Sequence, residues 1–351
     1  AGTAEWEVGY GTLVAAGTLI RSKVMASSNG GSLVSFSAGV KDVYMPATAT
    51  QLEPNVGVAG GRLSFSNIFT GIYSGATNPS HVSSEGVFST LYYNTFSGCL
   101  IGLWNGTSFE LVRFGLSPIS LSLSSIVSGK NYDVFAYIVP SMSQRVALEL
   151  SAAWVNDTLR SDGLTPIEGC WLKNSDYTRR WIGTIRASAN GQCASEDHRR
   201  FLWNLYNRIE GNISSINGDS GTWTKSTQTW TVAGTSDTQS TKVEIVNGMI
   251  EDSINLTLQA RSTCPGINGR RIAIGVNGTT PDSGCLAGFS ASEQGANMVA
   301  SLTKKPQAGY SVFNWLEHVD LSGTVTFLGG SYVGPGTNTN VPVGFTGKWR
   351  W

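Results

Sequence analysis

Charged side chains are scarce in this chain. Asp, Glu, Lys and Arg make up 14% of it, against about 25% in an average soluble domain. Basic and acidic residues balance at 24 each, so no electrostatic footprint for nucleic acid or an anionic membrane surface is present. Long apolar runs are missing as well; none approaches the ~18–20 residues that span a bilayer as a helix, and no membrane insertion is expected. The five cysteines, Cys99, Cys170, Cys193, Cys264 and Cys285, are odd in number, dispersed and never spaced C-x-x-C. That pattern argues against a disulfide framework and against a thiolate metal site, and reads as buried free thiols of a protein assembled in a cytoplasm. No P-loop, dinucleotide fingerprint, EF-hand loop or HExxH motif occurs, and no cofactor is implied.

Polarity comes instead from 42 glycines and abundant Ser, Thr and Asn, a mixture that suits short strands joined by tight turns. Trp6, Val8 and Tyr10 alternate with polar or small residues, as do Val34, Phe36 and Ala38 after the turn dipeptide Asn29-Gly30; both patterns read as half-buried strands. A strand so near Ala1 suggests a module that continues upstream of it. Asn105-Gly106 and Asn277-Gly278 are hairpin turn signals, and Ser128-Gly129 turns the chain into YDVFAYIV. In INLTLQA, Ile254, Leu256 and Leu258 face one way and Asn255, Thr257 and Gln259 the other, one side on a core and one side wet. The expected fold class is mainly β, with two antiparallel sandwich or jelly-roll-like regions.

Helical spacing is confined to 195–211. Phe201, Leu202, Leu205, Tyr206 and Ile209 recur on one face, with Arg199, Arg200, Asn204, Asn207 and Arg208 on the other. Ser195 is placed to cap this segment, Glu196 and Asp197 suit its first turn, and Gly211 is a natural stop. The expected organisation is therefore an N-terminal β-rich module over 1–194, a linking amphipathic helix over 195–211, and a C-terminal β-sandwich over 212–351.

AEWEVGYGTL, ASSNGGSLVSFSAGVKDVY, KNYDVFAY, LELSAAWVNDTLR and above all TRRWIGTIRASANGQC, followed after one residue by SEDHRRFLWNLYNRI, resemble a family of tailed-bacteriophage virion proteins described as tail-fibre, head-fibre or unassigned structural components. The resemblance covers about 1–46 and 130–209, with 47–129 and 212–351 following by composition and order. It implies a structural protein of the virion, assembled in the host cytoplasm and exposed on the particle. The implied partners are copies of itself, a trimer being the expected state, other virion proteins, and host-cell surface polysaccharide. No catalytic residues come with it.

The residues themselves offer little chemistry. Gly218-Asp219-Ser220-Gly221 matches the nucleophile motif of chymotrypsin-like proteases, but His81, His198 and His318 lie in no matching context. Glu251-Asp252 and the Glu317/Asp320 pair are the notable carboxylate pairs; a glycosidase would need two carboxyls across a cleft. Arg179, Arg180, Arg186, Arg199, Arg200 and Arg208 form a basic cluster that reads either as a solvated ion-pair network or as a subunit interface, which planar guanidinium groups suit. Trp223, Trp230, Tyr310, Trp315 and Tyr332 are candidates for a glycan-stacking surface, although tryptophans in sandwiches more often fill the core. Binding without turnover, by a fibre or adhesin-type appendage, is the expected function. A capsid decoration protein without host contact is the alternative, and a glycan-depolymerising tailspike enzyme a lesser one.

Overall fold

Strands and turns supply all the regular structure in a computed structural model of the chain, which describes residues 5–14, 18–39, 43, 57–66, 86–115, 119–139, 145–218, 221–235, 238–264, 269–291, 295–321, 323–330 and 342–351. Among these the fold is mainly β, with several sheets and no helix. Two compact units are present, Ala1–Glu53 and Pro54–Trp351.

In the first unit, strands Glu7–Val14 and Thr18–Ser27 pair as an antiparallel hairpin. Its register shifts between Val8 and Gly9 and again between Tyr10 and Gly11, and such bulges sharpen strand twist. The chain then turns through Gly30 and Gly31, both at positive φ, which glycine adopts without steric cost. Residues 34–38, expected as a strand, join no ladder. Carboxylates hold them instead: Glu7 Oε2 accepts from the Val34 amide (2.8 Å) and from Arg21 Nη1 (3.0 Å), and Glu5 Oε2 accepts from the Ser37 amide (2.9 Å).

The second unit contains the remaining sheets. Fourteen described strands join in one sheet. Its N-terminal part is built on Asn131–Ile138 against Asp176–Ala189, and its C-terminal part on Lys242–Asn247, Gly309–Val319 and Arg270–Val276. The two parts meet at a short parallel pairing, Arg199 with Glu244 and Arg200 with Ile245. A six-stranded sheet, with Ile254–Thr263 among its central strands, shares the larger core with the C-terminal part through Leu256, Leu258, Phe345 and Trp349 against Ile245, Ile272, Phe313 and Trp315. Along Ile254–Thr263 the odd and even positions divide between core and surface as their alternation requires. A second core gathers Leu63, Leu91, Tyr93, Ile101, Val134, Ile182, Ile185 and Phe201.

The expected helix over 195–211 is absent. Gln192–Glu196 and Arg199–Arg200 form a hairpin with Asp197 and His198 as its two loop residues, and Leu202–Asn204 pairs with the long strand Asp176–Ala189. A helix needs one wet face, yet Phe201, Leu202, Trp203 and Asn204 are buried in succession. The asparagines assigned to the wet face bond inward: Asn204 Oδ1 accepts from the Leu63 amide (2.7 Å), and Asn207 Nδ2 donates to the carbonyls of Ala59 (2.7 Å) and Gly61 (2.8 Å). Gly211 is no helix stop; a Cβ there would sit 2.0 Å from the indole of Trp351. The stretch 195–211 therefore does not separate two sheets but carries one sheet across from its N-terminal to its C-terminal strands.

Candidate functional site

All six arginines of the basic cluster are engaged within the chain. Arg180 is fully buried in the long strand and donates to the carbonyls of Val58 (3.0 Å) and Gly102 (2.6 Å), with its guanidinium over the Tyr206 ring. Arg200, also buried, reaches Asp197 (3.2 Å) and lies over Trp351. Arg179 pairs with Glu149 (2.7 Å), Arg186 with Asp157 (2.7 Å), and Arg199 with Glu196 (2.7 Å). Arg208 holds both Glu251 and Asp252. Five of the six guanidinium groups thus meet carboxylates of the same chain, and Arg180 meets backbone carbonyls.

The aromatic candidates do not share a surface. Trp315 is fully buried and packs edge-on against Trp223, which stacks on Phe327 inside the sandwich. Trp315 is thus a core residue, and Trp223 is partly buried against that core. Trp230 covers the ring of His318 (centroids 5.0 Å apart). Tyr310, near the start of the strand Gly309–Val319 that also carries Trp315, lies under the Arg186 guanidinium at 3.6 Å and donates from its hydroxyl to Glu244. Tyr332 lies outside the described residues, as do Asp219, Ser220 and His81.

Three acidic side chains are buried among the described residues, Asp133, Glu244 and Glu317. Glu244 accepts from the Tyr310 hydroxyl and pairs with Lys242 (3.1 Å). Asp133 accepts from Thr184 Oγ1 (2.7 Å), Arg160 Nε (2.8 Å) and Trp154 Nε1 (3.0 Å). Glu317 accepts from Trp223 Nε1, at 3.0 Å from each carboxylate oxygen, with Lys225 nearby. Burial pushes Glu317 up to about 8 from the ordinary 4.5, and the indole, the Lys225 charge and the Gly234 amide offset this only in part. Burial likewise pushes Lys225 down. Glu317 faces the core between the two sheets and Asp320 faces Arg271 (2.9 Å) and His318, so the second carboxylate pair does not converge on a cleft. The five cysteines are free thiols, with Cys170, Cys193 and Cys264 buried. Among the described residues no group of three or more His, Cys, Asp or Glu is placed to hold a metal ion.

A depression lies between the Asp197–His198 turn, the strand Glu210–Asn217 and residues 239–240. Its volume is about 260 Å³ and its lining is polar. Burial and the neighbouring Arg199 charge hold His198 below its ordinary pKa, so its imidazole is neutral at pH 7.

No protein-family model matches the chain. No curated protein matches it either. Among solved structures, a Bacillus thuringiensis Cry1Da tryptic core variant is 9% identical, with 70% of this chain and 49% of that one covered, at a TM-score of 0.16. An exo-β-1,3-galactanase from Phanerochaete chrysosporium solved with galactose is 11% identical over 76% of this chain and 68% of that one, also at 0.16. The chain thus spans about half the length of the toxin core, and at these scores neither likeness bears on fold or function.

Sequence reasoning missed Asp133, Arg160 and the depression around His198. Asp133 and Arg160 stand 27 positions apart and carry no local pattern, and the depression is assembled from three segments that only the sheet pairing brings together.

Proposed function

We propose that this chain is a structural component of a tailed-phage virion, a fibre or adhesin-type appendage that assembles with copies of itself, as a trimer, and binds host-surface glycan without turning it over. The resemblance of its N-terminal and 130–209 motifs to virion proteins supports the setting. The observation that carries assembly is the N-terminal hairpin. Trp6, Val8, Tyr10 and Ile20 are 48%, 55%, 57% and 53% exposed. In the hairpin register, Val8 lies opposite Ala26 and Ile20 opposite Thr12, which places these apolar groups along one side.

A lone two-stranded hairpin is marginally stable in water. This one also presents apolar side chains and, among the described residues, an unpaired outer edge on each strand. Such edges pair with other chains unless protected, and exposed apolar patches of this kind mark association surfaces. Copies of the same chain supply matching edges and faces, and closed symmetric oligomers are the usual outcome. The position of the carboxylates favours binding over hydrolysis: Asp133 and Glu317 are both buried in cores, out of reach of a polymer.

The native mass of the purified chain, by light scattering beside an unboiled denaturing gel, tests assembly. The expected result is a trimer for the parent and a shift to monomer for Tyr10→Ser/Ile20→Ser. A parent that is monomeric at micromolar concentration overturns this reading.

A further inference from the structure

We propose that the depression beside His198 binds a single neutral saccharide unit. This rests on the glycan-binding half of the function proposed above and places that contact away from the aromatic side chains. The lining groups are Asp197, His198, Ser214, Ser215, Gln239 and Ser240, with Ile216 as the apolar member at the rim. At about 260 Å³ the space falls below the ~300–1,000 Å³ usual for drug-sized ligands and suits one sugar ring.

Its walls are fixed before any ligand arrives. The Ser214 amide donates to the Asp197 carbonyl (2.9 Å), the Glu244 amide to the His198 carbonyl (2.8 Å), and Ser215 Oγ to the Gln239 carbonyl (2.9 Å). Thr241 Oγ1 closes the 238–241 turn onto the Thr238 carbonyl (2.8 Å). Three segments from two sheets are thus locked against each other, which removes most of the ordering cost of binding.

The chemistry of the lining selects the ligand class. Hydroxyls, one amide and a neutral imidazole offer both donors and acceptors without charge. The carboxylate of Asp197 is paired through Oδ1 to Arg200, and its second oxygen has no protein partner among the described residues. That oxygen is an acceptor for ligand hydroxyl groups. One compensated carboxylate is too little for a metal ion, and its charge disfavours an anion. A polyhydroxylated neutral ring satisfies the set.

The test is calorimetric titration of the full chain with neutral hexoses and N-acetylhexosamines, with sialic acid as the charged comparison. It is repeated on Asp197→Asn and Gln239→Ala, each checked for an unchanged melting temperature. Gln239→Ala keeps the backbone carbonyl that Ser215 uses. Binding of a neutral sugar, weakened at least about tenfold in both variants and absent for sialic acid, supports the site; tenfold corresponds to ~1.4 kcal/mol. Binding that both variants keep overturns the site and leaves glycan recognition to another surface. No binding of any neutral sugar overturns the site, and a parallel assay on whole host-surface polysaccharide then decides the glycan half of the proposed function. The native mass judges assembly independently of either result.

Discussion

Arg160 and Asp133 form the most enclosed ion pair among the described residues: the Arg160 guanidinium lies between the indoles of Trp154 (4.4 Å) and Trp181 (4.7 Å) while its Nε meets Asp133 at 2.8 Å. Arg160 Nη2 also donates to the Gly248 carbonyl (2.7 Å), so a residue from before the long strand ties down a turn from the C-terminal part. Removing the cation leaves a carboxylate in a core without its countercharge. Arg160→Ala is expected to destabilise the unit by about 3–5 kcal/mol. Adding Asp133→Asn should recover part of that loss, and denaturant midpoints for the two single variants and the double variant measure the coupling.

Glu317 gives the unit a dependence on pH. Its folded pKa of about 8 stands above the ordinary 4.5, so between these values the folded chain holds a proton that the unfolded chain has released. Its contribution is fully present below about pH 4.5 and is lost as pH rises toward 8. Lys225, pushed down by burial, works in the opposite sense, so parent and Glu317→Gln are compared at each pH. The variant is expected to gain on the parent progressively from pH 5 to pH 8, by on the order of 3–5 kcal/mol. Parallel melting curves at both pH values would show that Glu317 is ionised throughout.

Asn204 is buried and bonds both backbone groups of Leu63, the amide at 2.7 Å and the carbonyl at 3.3 Å. Asn204→Ala leaves that amide without a partner in the core, for a loss of about 1–3 kcal/mol. Hydrogen exchange at the Leu63 amide is the direct readout and should accelerate in the variant.

Gly211 is covered by the Trp351 ring, which is itself buried. Gly211→Ala is expected to cost about 1–3 kcal/mol by overpacking. Trp351→Leu, introduced second, should make the alanine nearly neutral. Thermal melting of the two single variants and the double variant checks this.

The β character and several turns were legible in sequence because they depend on neighbours. Asn105-Gly106 lies in the loop joining Leu100–Trp104 to Phe109–Arg113, with Asn105 Oδ1 accepting from the amides of Thr107 and Ser108 (2.9 Å each). Asn277 adopts φ 55°, as its turn requires. The hairpin at Asp197-His198 was hidden for the converse reason. Neither residue has positive φ, and the dipeptide is not among those that favour the primed turns typical of two-residue hairpins, so the run of charge and aromatics after it imitated a helix. The ion-pair network and the depression were out of reach because their parts meet only through long-range pairing.

That pairing bears on how the protein is made. Arg62 donates to the Trp351 carbonyl across 289 positions, and Ile209 exchanges amide bonds with Trp351 as well. Non-local contacts of this kind slow folding, since loop closure must precede the contacts that reward it. Synthesis proceeds from the N-terminus, so the early strands wait with open edges until Trp351 has been added, a period in which nascent chains are prone to aggregate. Yield in the cell is therefore expected to respond to translation speed and chaperone supply as well as to the stability of the finished sheet.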